Sequence, residues 1–372
     1  MTEAANSEKK LLVFLLLVAF VYFAPLSQAQ EAVDSIQIYA QMAVDNMDNN
    51  QPEAAIVAWE RALALAPDNV PFRYEFALAN VMAKRYDSAI ALLAPIYRNP
   101  QLLDRGYQLL GNCYDMLNDS ARSLPYYREG LVAFPQSGRL HYEMGAAALI
   151  DGNPMDATEW WRKGAQFEPA FATNYYWLAR THAGTRDRIW GVLYAEAFLN
   201  LERNTQRTRE ISKLLFDTWN ASMMLGDTTD PINFCTDSLL EILSPNGPNV
   251  MSFPVAFEYT IATSAEPLIP SVGVTKRLTV AQMVDVRIRM VKAWSKAGYD
   301  TLYPNDVLTW NVRYLKSGWL KEYLWWVYSY GDKKEMNEYF KANEDRYDNF
   351  LGWYGQNSPS FKNPLCIDLR CQ

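Results

Sequence analysis

Few side chains in this chain of 372 residues stand where they could do covalent chemistry. Glu258 lies in a segment of alternating character, and Glu322 and Asp285 lie on later helical stretches. A carboxylate-pair hydrolase would use two such groups about 5–10 Å apart, one as acid and one as base or nucleophile. Carboxylates of this kind decorate most helix surfaces, so ordinary solvated charge is the preferred reading. The two histidines, His141 and His182, fall at large packing positions and read as satisfied interior groups rather than acid–base catalysts. There is no His-Glu-x-x-His, no paired Cys-x-x-Cys, no Gly-rich phosphate loop and no Gly-x-Ser-x-Gly. No catalytic residue, no metal site and no cofactor is therefore expected.

The four cysteines do not make a disulfide framework at this length. Cys113, near Gly111, reads as a small buried hydrophobe. Cys235 has no evident partner. Cys366 and Cys371 sit in a polar tail and could close a small ring in an oxidising compartment, worth about 2 kcal/mol by loop entropy.

That compartment is indicated by the first residues. Lys9-Lys10 precede fourteen unbroken apolar residues, Leu11–Ala24, followed by Pro25 and by Ser27-Gln28-Ala29. This is the layout of a cleavable export signal, read as residues 1–29. The apolar run is shorter than the roughly 20 residues that span a bilayer, and no later segment is apolar enough to do so. An uncleaved anchor is the alternative. The net charge of −7 is spread without a basic stripe, which argues against nucleic acid. The bacterial periplasm is the expected location, with secretion as the alternative.

The elements that would position any site repeat themselves. In Asp104–Ser137, Tyr107, Leu110, Gly111 and Tyr114 are followed by Ser123, Tyr127, Gly130 and Pro135. Gly138–Phe171 has His141, Met144, Gly145 and Ala148, then Ala157, Trp161, Gly164 and Pro169. Ile36–Asn69 has Tyr39, Met42, Ala43, Ala55, Trp59, Ala62 and Pro67. Val70–Leu103 has Phe76, Ala77, Ala89, Leu93 and Pro100, with Ile96 at the second small position. Small residues recur where two helices must approach, and aromatics four residues later share their face. A period of about 34 residues means helical pairs that bury their apolar faces only by stacking.

This lettering resembles the tetratricopeptide repeat (TPR) family. Four clear repeats cover 36–171, and a degenerate fifth begins at Tyr175, Leu178 and Ala179. The resemblance implies a mostly α fold: a right-handed helix-turn-helix solenoid over 30–225, closed by capping helices. It also implies a concave groove lined by first helices, which in this family holds a protein or peptide. The positions that carry over are Gln37 and Ala40, then Tyr74, then Arg105, Gln108, Asn112 and Asp115, then Arg139 and Tyr142, then Tyr176 and Arg180. The arginines suit carboxylates and the tyrosines flat contact surface. Only Asn112 fits the family's carboxylate-clamp pattern. Solvated polar residues on first helices are the competing explanation.

After breaks at Gly226–Pro231 and Ser244–Pro248, the segment 231–372 reads as a mainly helical, aromatic-rich module with at least one β-strand. Between Asn249 and Ala262, Phe253, Val255, Phe257, Tyr259 and Ile261 alternate with smaller or polar residues, the two-residue period of a strand. Helices are expected from Thr279, over Asp306–Lys316 and Trp319–Tyr330, and from Asp332, which offers a capping box with Glu335. Trp294, Trp310, Trp319, Trp325, Trp326 and Trp353 are half of the twelve tryptophans. They read as core in preference to sugar-stacking platforms. The preferred function is a non-catalytic adaptor for a protein or peptide partner. A glycan-binding accessory is the alternative, and a carboxylate hydrolase the third reading. Oligomeric state is not indicated.

Overall fold

The computed structural model describes residues 33–223, 232–236, 250–268 and 277–359. The export signal, the two breaks and the Cys366/Cys371 pair lie outside the described residues. The chain forms two compact units, 1–135 and 136–372.

The first unit is a run of helical pairs. Helix α1 (33–48) pairs with α2 (Pro52–Leu65), α3 (Val70–Met82) with α4 (Tyr86–Leu93), and α5 (Asp104–Met116) with α6 (Ser120–Ala133). The turn inside each pair carries one left-handed residue: Asn50, Lys84 and Asn118, with φ of 55°, 58° and 59°. Gly152 repeats it in the second unit at 78°. These positions follow one another at the repeat spacing, so the period seen in side-chain size is also written in the backbone. Asparagine and glycine tolerate that conformation; Lys84 adopts it at a cost. The pair weakest in sequence also has the shortest second helix. Helix α4 ends at Leu93; Ala94 keeps helical dihedrals, and Pro95 after it has no N–H with which to continue the ladder.

Small residues let the pairs interlock. A Cβ on Gly111 would stand 2.3 Å from Cε1 of Tyr127, whose ring is fully buried. In the second unit, α7 (Gly138–Ile150) and α8 (Pro154–Phe167) repeat the contact, with Gly145 against the indole of Trp161.

The second unit continues with α9 (Ala172–Ala183), α10 (Arg188–Leu201) and α11 (Gln206–Ser222). It then forms α12 (Phe253–Ala265) with a short 3-10 turn, α13 (Val280–Lys296), α14 (Tyr299–Leu302), α15 (Asp306–Lys316), α16 (Leu320–Val327), α17 (Lys333–Ala342) and α18 (Glu344–Asn357). Helix α10 is buried on every side from Ile189 to Asn200, the mark of a central helix. One hydrophobic cluster runs from Ala157 to Tyr354 around it. At its centre lies a polar network. Arg287 Nη2 donates to Glu196 Oε2 at 2.9 Å, and its Nη1 donates to the Tyr328 hydroxyl at 2.9 Å. Asn311 and Tyr323 donate to Glu196 Oε1 at 2.5 and 3.0 Å.

The expected strand over 249–262 is corrected: Phe253–Ala265 is helical, and the described residues contain no β-strand, only an isolated bridge between Met223 and Ile232. Besides Pro254 in the first turn, its buried residues are Phe253, Ala256, Phe257, Thr260, Ile261, Ser264 and Ala265, a helical spacing. The alternation of large residues hid this stripe, because half of it is small. Tyr259, which the strand reading put on one face with Phe253, Val255, Phe257 and Ile261, is 54 % exposed. Pro254 falls in the first turn, where its missing N–H costs nothing. Thr260 and Ser264 satisfy their buried hydroxyls on the carbonyls of Ala256 and Thr260.

The capping box at Asp332 forms only in half. Asp332 accepts from the N–H groups of Lys334 and Glu335. The Glu335 carboxylate instead accepts from the N–H groups of Val280 and Ala281 at 2.8 Å each. It thereby serves the first turn of α13, whose N–H groups have no partner within their own helix.

Candidate functional site

In the first unit, Tyr74 on α3 and Arg105 on α5 come together, the guanidinium carbon 5.5 Å from the ring centroid. Tyr74 is buried and Arg105 exposed, so it is the cation that faces water while the ring supports it. Burial raises the Glu75 carboxyl, and Arg105 opposes that shift, which brings Glu75 into the same neighbourhood. Gln108 and Asn112 follow on α5 at one-turn spacings from Arg105. The Asn112 carbonyl accepts the Tyr127 hydroxyl at 2.6 Å, and Asp115 shares that hydroxyl. The second helix thus fixes the amide from beneath.

In the second unit, Arg139 on α7 lies 5.6 Å over the ring of Phe171, and Tyr142 packs 6.4 Å from the same ring. Tyr176 on α9 is buried, and its hydroxyl donates to Glu210 at 2.8 Å. Arg180 donates to that hydroxyl at 2.7 Å and lies 5.2 Å over the ring. Burial pushes the Tyr142 phenol up, Glu143 adds to this, and Arg207 opposes it. Arg207, Glu210 and Trp177 were missed in the sequence. Arg207 lies 5.2 Å over Tyr176, and Arg180 lies 5.0 Å over Trp177. The available signal was the polar first turn Gln206–Glu210 of a helix counted only as a cap.

Each unit therefore presents the same device on its first helices: a guanidinium laid on an aromatic ring. Residues 46–111 match the family model described as tetratricopeptide repeat. The chain carries tetratricopeptide repeats. Solved structures similar to this chain include that of MamA protein, at 18 % identity and a TM-score of 0.35, covering 45 % of this chain and 92 % of that one. Another is YrrB, described as a TPR protein with an unusual peptide-binding site, at 16 % identity and a TM-score of 0.31, covering 45 % and 87 %. No curated protein matches the chain. Stacked TPR units build scaffolds whose first helices offer an extended contact surface for other proteins.

The other sequence candidates have structural duties. Glu258 lies on α12, where its Oε1 accepts from the N–H groups of Phe234 and Cys235 at 2.7 and 2.8 Å. Glu322 is buried and paired with Arg346, and Asp285 pairs with Arg289 on its own helix. Trp294 and Trp325 are buried, while Trp310, Trp319, Trp326 and Trp353 pack half-buried against the same core. Cys113 and Cys235 are buried free thiols; burial pushes Cys113 up to about 12 and raises Cys235 further. Among the described residues no group of three or more His, Cys, Asp or Glu could hold a metal ion, and no helix is long and apolar enough to cross a membrane.

His141 is buried, with Nδ1 2.8 Å from the Ser137 carbonyl. Burial pulls its pKa below 6.5; the bond to Ser137 opposes this and Lys163 adds to it. The unfolded chain thus takes up this proton at a higher pH than the folded one. The stability contribution is complete above about pH 6.5 and is lost as pH falls below it. Thermal melts at about pH 7.5 and about pH 5.5 should show a larger loss for the parent chain than for His141→Gln. Equal losses would mean that His141 already titrates normally when folded.

Proposed function

We propose that the chain is a non-catalytic periplasmic scaffold that holds an acidic segment of a protein or peptide partner on arginine-bearing first helices of its TPR units. The observation that carries this reading is the stacked arginine: Arg105 on Tyr74, Arg139 on Phe171, Arg180 on Tyr176. A guanidinium positioned over a ring is pre-organised and loses little entropy in meeting a carboxylate. Tyr74 and Tyr176 act as supports, while Gln108, Asn112 and Tyr142 line the same helix faces. Lys9-Lys10, the apolar run and Ser27-Gln28-Ala29 support the periplasmic part of this reading; sequencing the N-terminus of the mature chain tests it, with Gln30 as the expected first residue.

The binding test uses envelope extract and residues 30–372, beside Arg105→Glu and Arg139→Glu variants. A partner retained by the parent chain should be lost from at least one of the variants while its melt stays unchanged. Each reversal removes a charge-assisted contact and adds a like charge, about tenfold to a hundredfold in affinity per site. Equal retention by parent and variants would place the contact elsewhere.

A further inference from the structure

A cleft of about 550 Å³ opens in the second unit, between the start of α11 and helices α16, α17 and α18. That volume is in the range of small-molecule sites. Its walls contain three cations, Arg203, Arg209 and Lys333, and no carboxylate. Two neighbouring acids are engaged elsewhere. Glu202 is paired with Arg207, and Asp332 caps the first turn of α17. Arg209 and Lys333 are exposed, and none of the three cations forms an ion pair among the described residues. Arg203 is held for use: its guanidinium lies 4.4 Å over the Tyr354 ring, and Nη2 donates to the Asn200 carbonyl at 3.1 Å. Its Nε is buried and has no hydrogen-bond partner. A buried donor left unmatched is costly, and a bound acceptor would remove that cost. The rest of the wall is aromatic, including Trp326, Tyr347 and Tyr354. Tyr354 is 3 % exposed and serves as the support beneath Arg203, its hydroxyl donating to Asn200 Oδ1 at 2.7 Å, so Trp326 is the aromatic surface left to the cleft.

We infer that this cleft binds a small organic anion, a carboxylate attached to a flat ring, with Arg203 and Lys333 taking the charge and Trp326 the ring. The site is independent of the stacked arginines on the TPR first helices. Isothermal titration of the full chain with three probes tests it: N-acetyl-phenylalanine, its uncharged amide, and acetate. The acid should bind at one site, and the amide and acetate each at least about tenfold more weakly. Lys333→Gln lies on the surface and leaves packing intact; it should weaken the acid several-fold, and Arg203→Gln more. Arg105→Glu should leave the titration unchanged, which separates this site from the partner-binding face. Equal binding of acid and amide would overturn the inference, as would affinity indifferent to both Arg203→Gln and Lys333→Gln. Absence of saturable binding by all three probes would do the same.

Discussion

Arg287→Leu is expected to destabilise the second unit by about 3–5 kcal/mol, among the largest effects of any single substitution in the chain. Arg287 is 1 % exposed and its partner Glu196 2 %. Burial alone would pull the arginine's pKa down; Glu196 and Tyr328 more than offset that and leave it raised. Removing the cation strands the Glu196 carboxylate in the core with only the neutral donors Asn311 and Tyr323. The cation also lies 4.6 Å over Trp219, and that contact is lost too. The double variant Glu196→Leu/Arg287→Leu should be less destabilised than the sum of the singles, because neither charge is left alone. It should not reach the parent value, because Asn311 would lose an acceptor. Hydrogen exchange on α10 and α13, with denaturant melts, measures this. Strictly additive singles would show that the two charges do not depend on each other.

Trp161→Ala should cost about 3–5 kcal/mol for a different reason. The indole is 1 % exposed, lies against Gly145 where no Cβ would fit, and donates to the Tyr142 carbonyl at 3.2 Å. Its far face stacks on Trp177 at 5.3 Å. One side chain therefore joins both helices of its own TPR unit to the first helix of the next, and its loss opens a cavity that rigid helices close poorly. Val132→Ala, on a residue 84 % exposed, is the control and should stay within about 0.5 kcal/mol. A small loss for Trp161→Ala would mean that the pair can collapse onto the vacated space.

The repeats were legible because their determinants are local and recur. Gly111 with Tyr127 and Gly145 with Trp161 repeat one size pattern, and a pattern seen several times at one spacing is hard to mistake. The expected helix Asp306–Lys316 was found at those bounds, and the helix expected from Thr279 starts there, with Thr279 as its N-cap. The region around 253–265 was misread because no repetition checks it. Large residues at every second position outweighed the small Ala256, Thr260 and Ser264, which fill the buried stripe of the helix. The Glu196–Arg287 pair was hidden for another reason: its members are 91 residues apart in sequence, and nothing local marks either as buried. The candidate site was readable only as positions. The sequence placed Arg105, Arg139 and Arg180 on first helices, but gave no sign that each would lie on a ring. It also gave none that Arg207 and Glu210, from a helix counted as a cap, would enclose Tyr176.

The most direct measurement places a photo-crosslinking residue at Gln108, between Arg105 and Asn112 on α5, or at Val132 on the neighbouring second helix α6. Crosslinking in intact cells should join the partner to the chain from position 108 and not from position 132, and Arg105→Glu should abolish it. Crosslinking from position 132 alone, or from position 108 undiminished by Arg105→Glu, would contradict the assignment of binding to the arginine-bearing first helices.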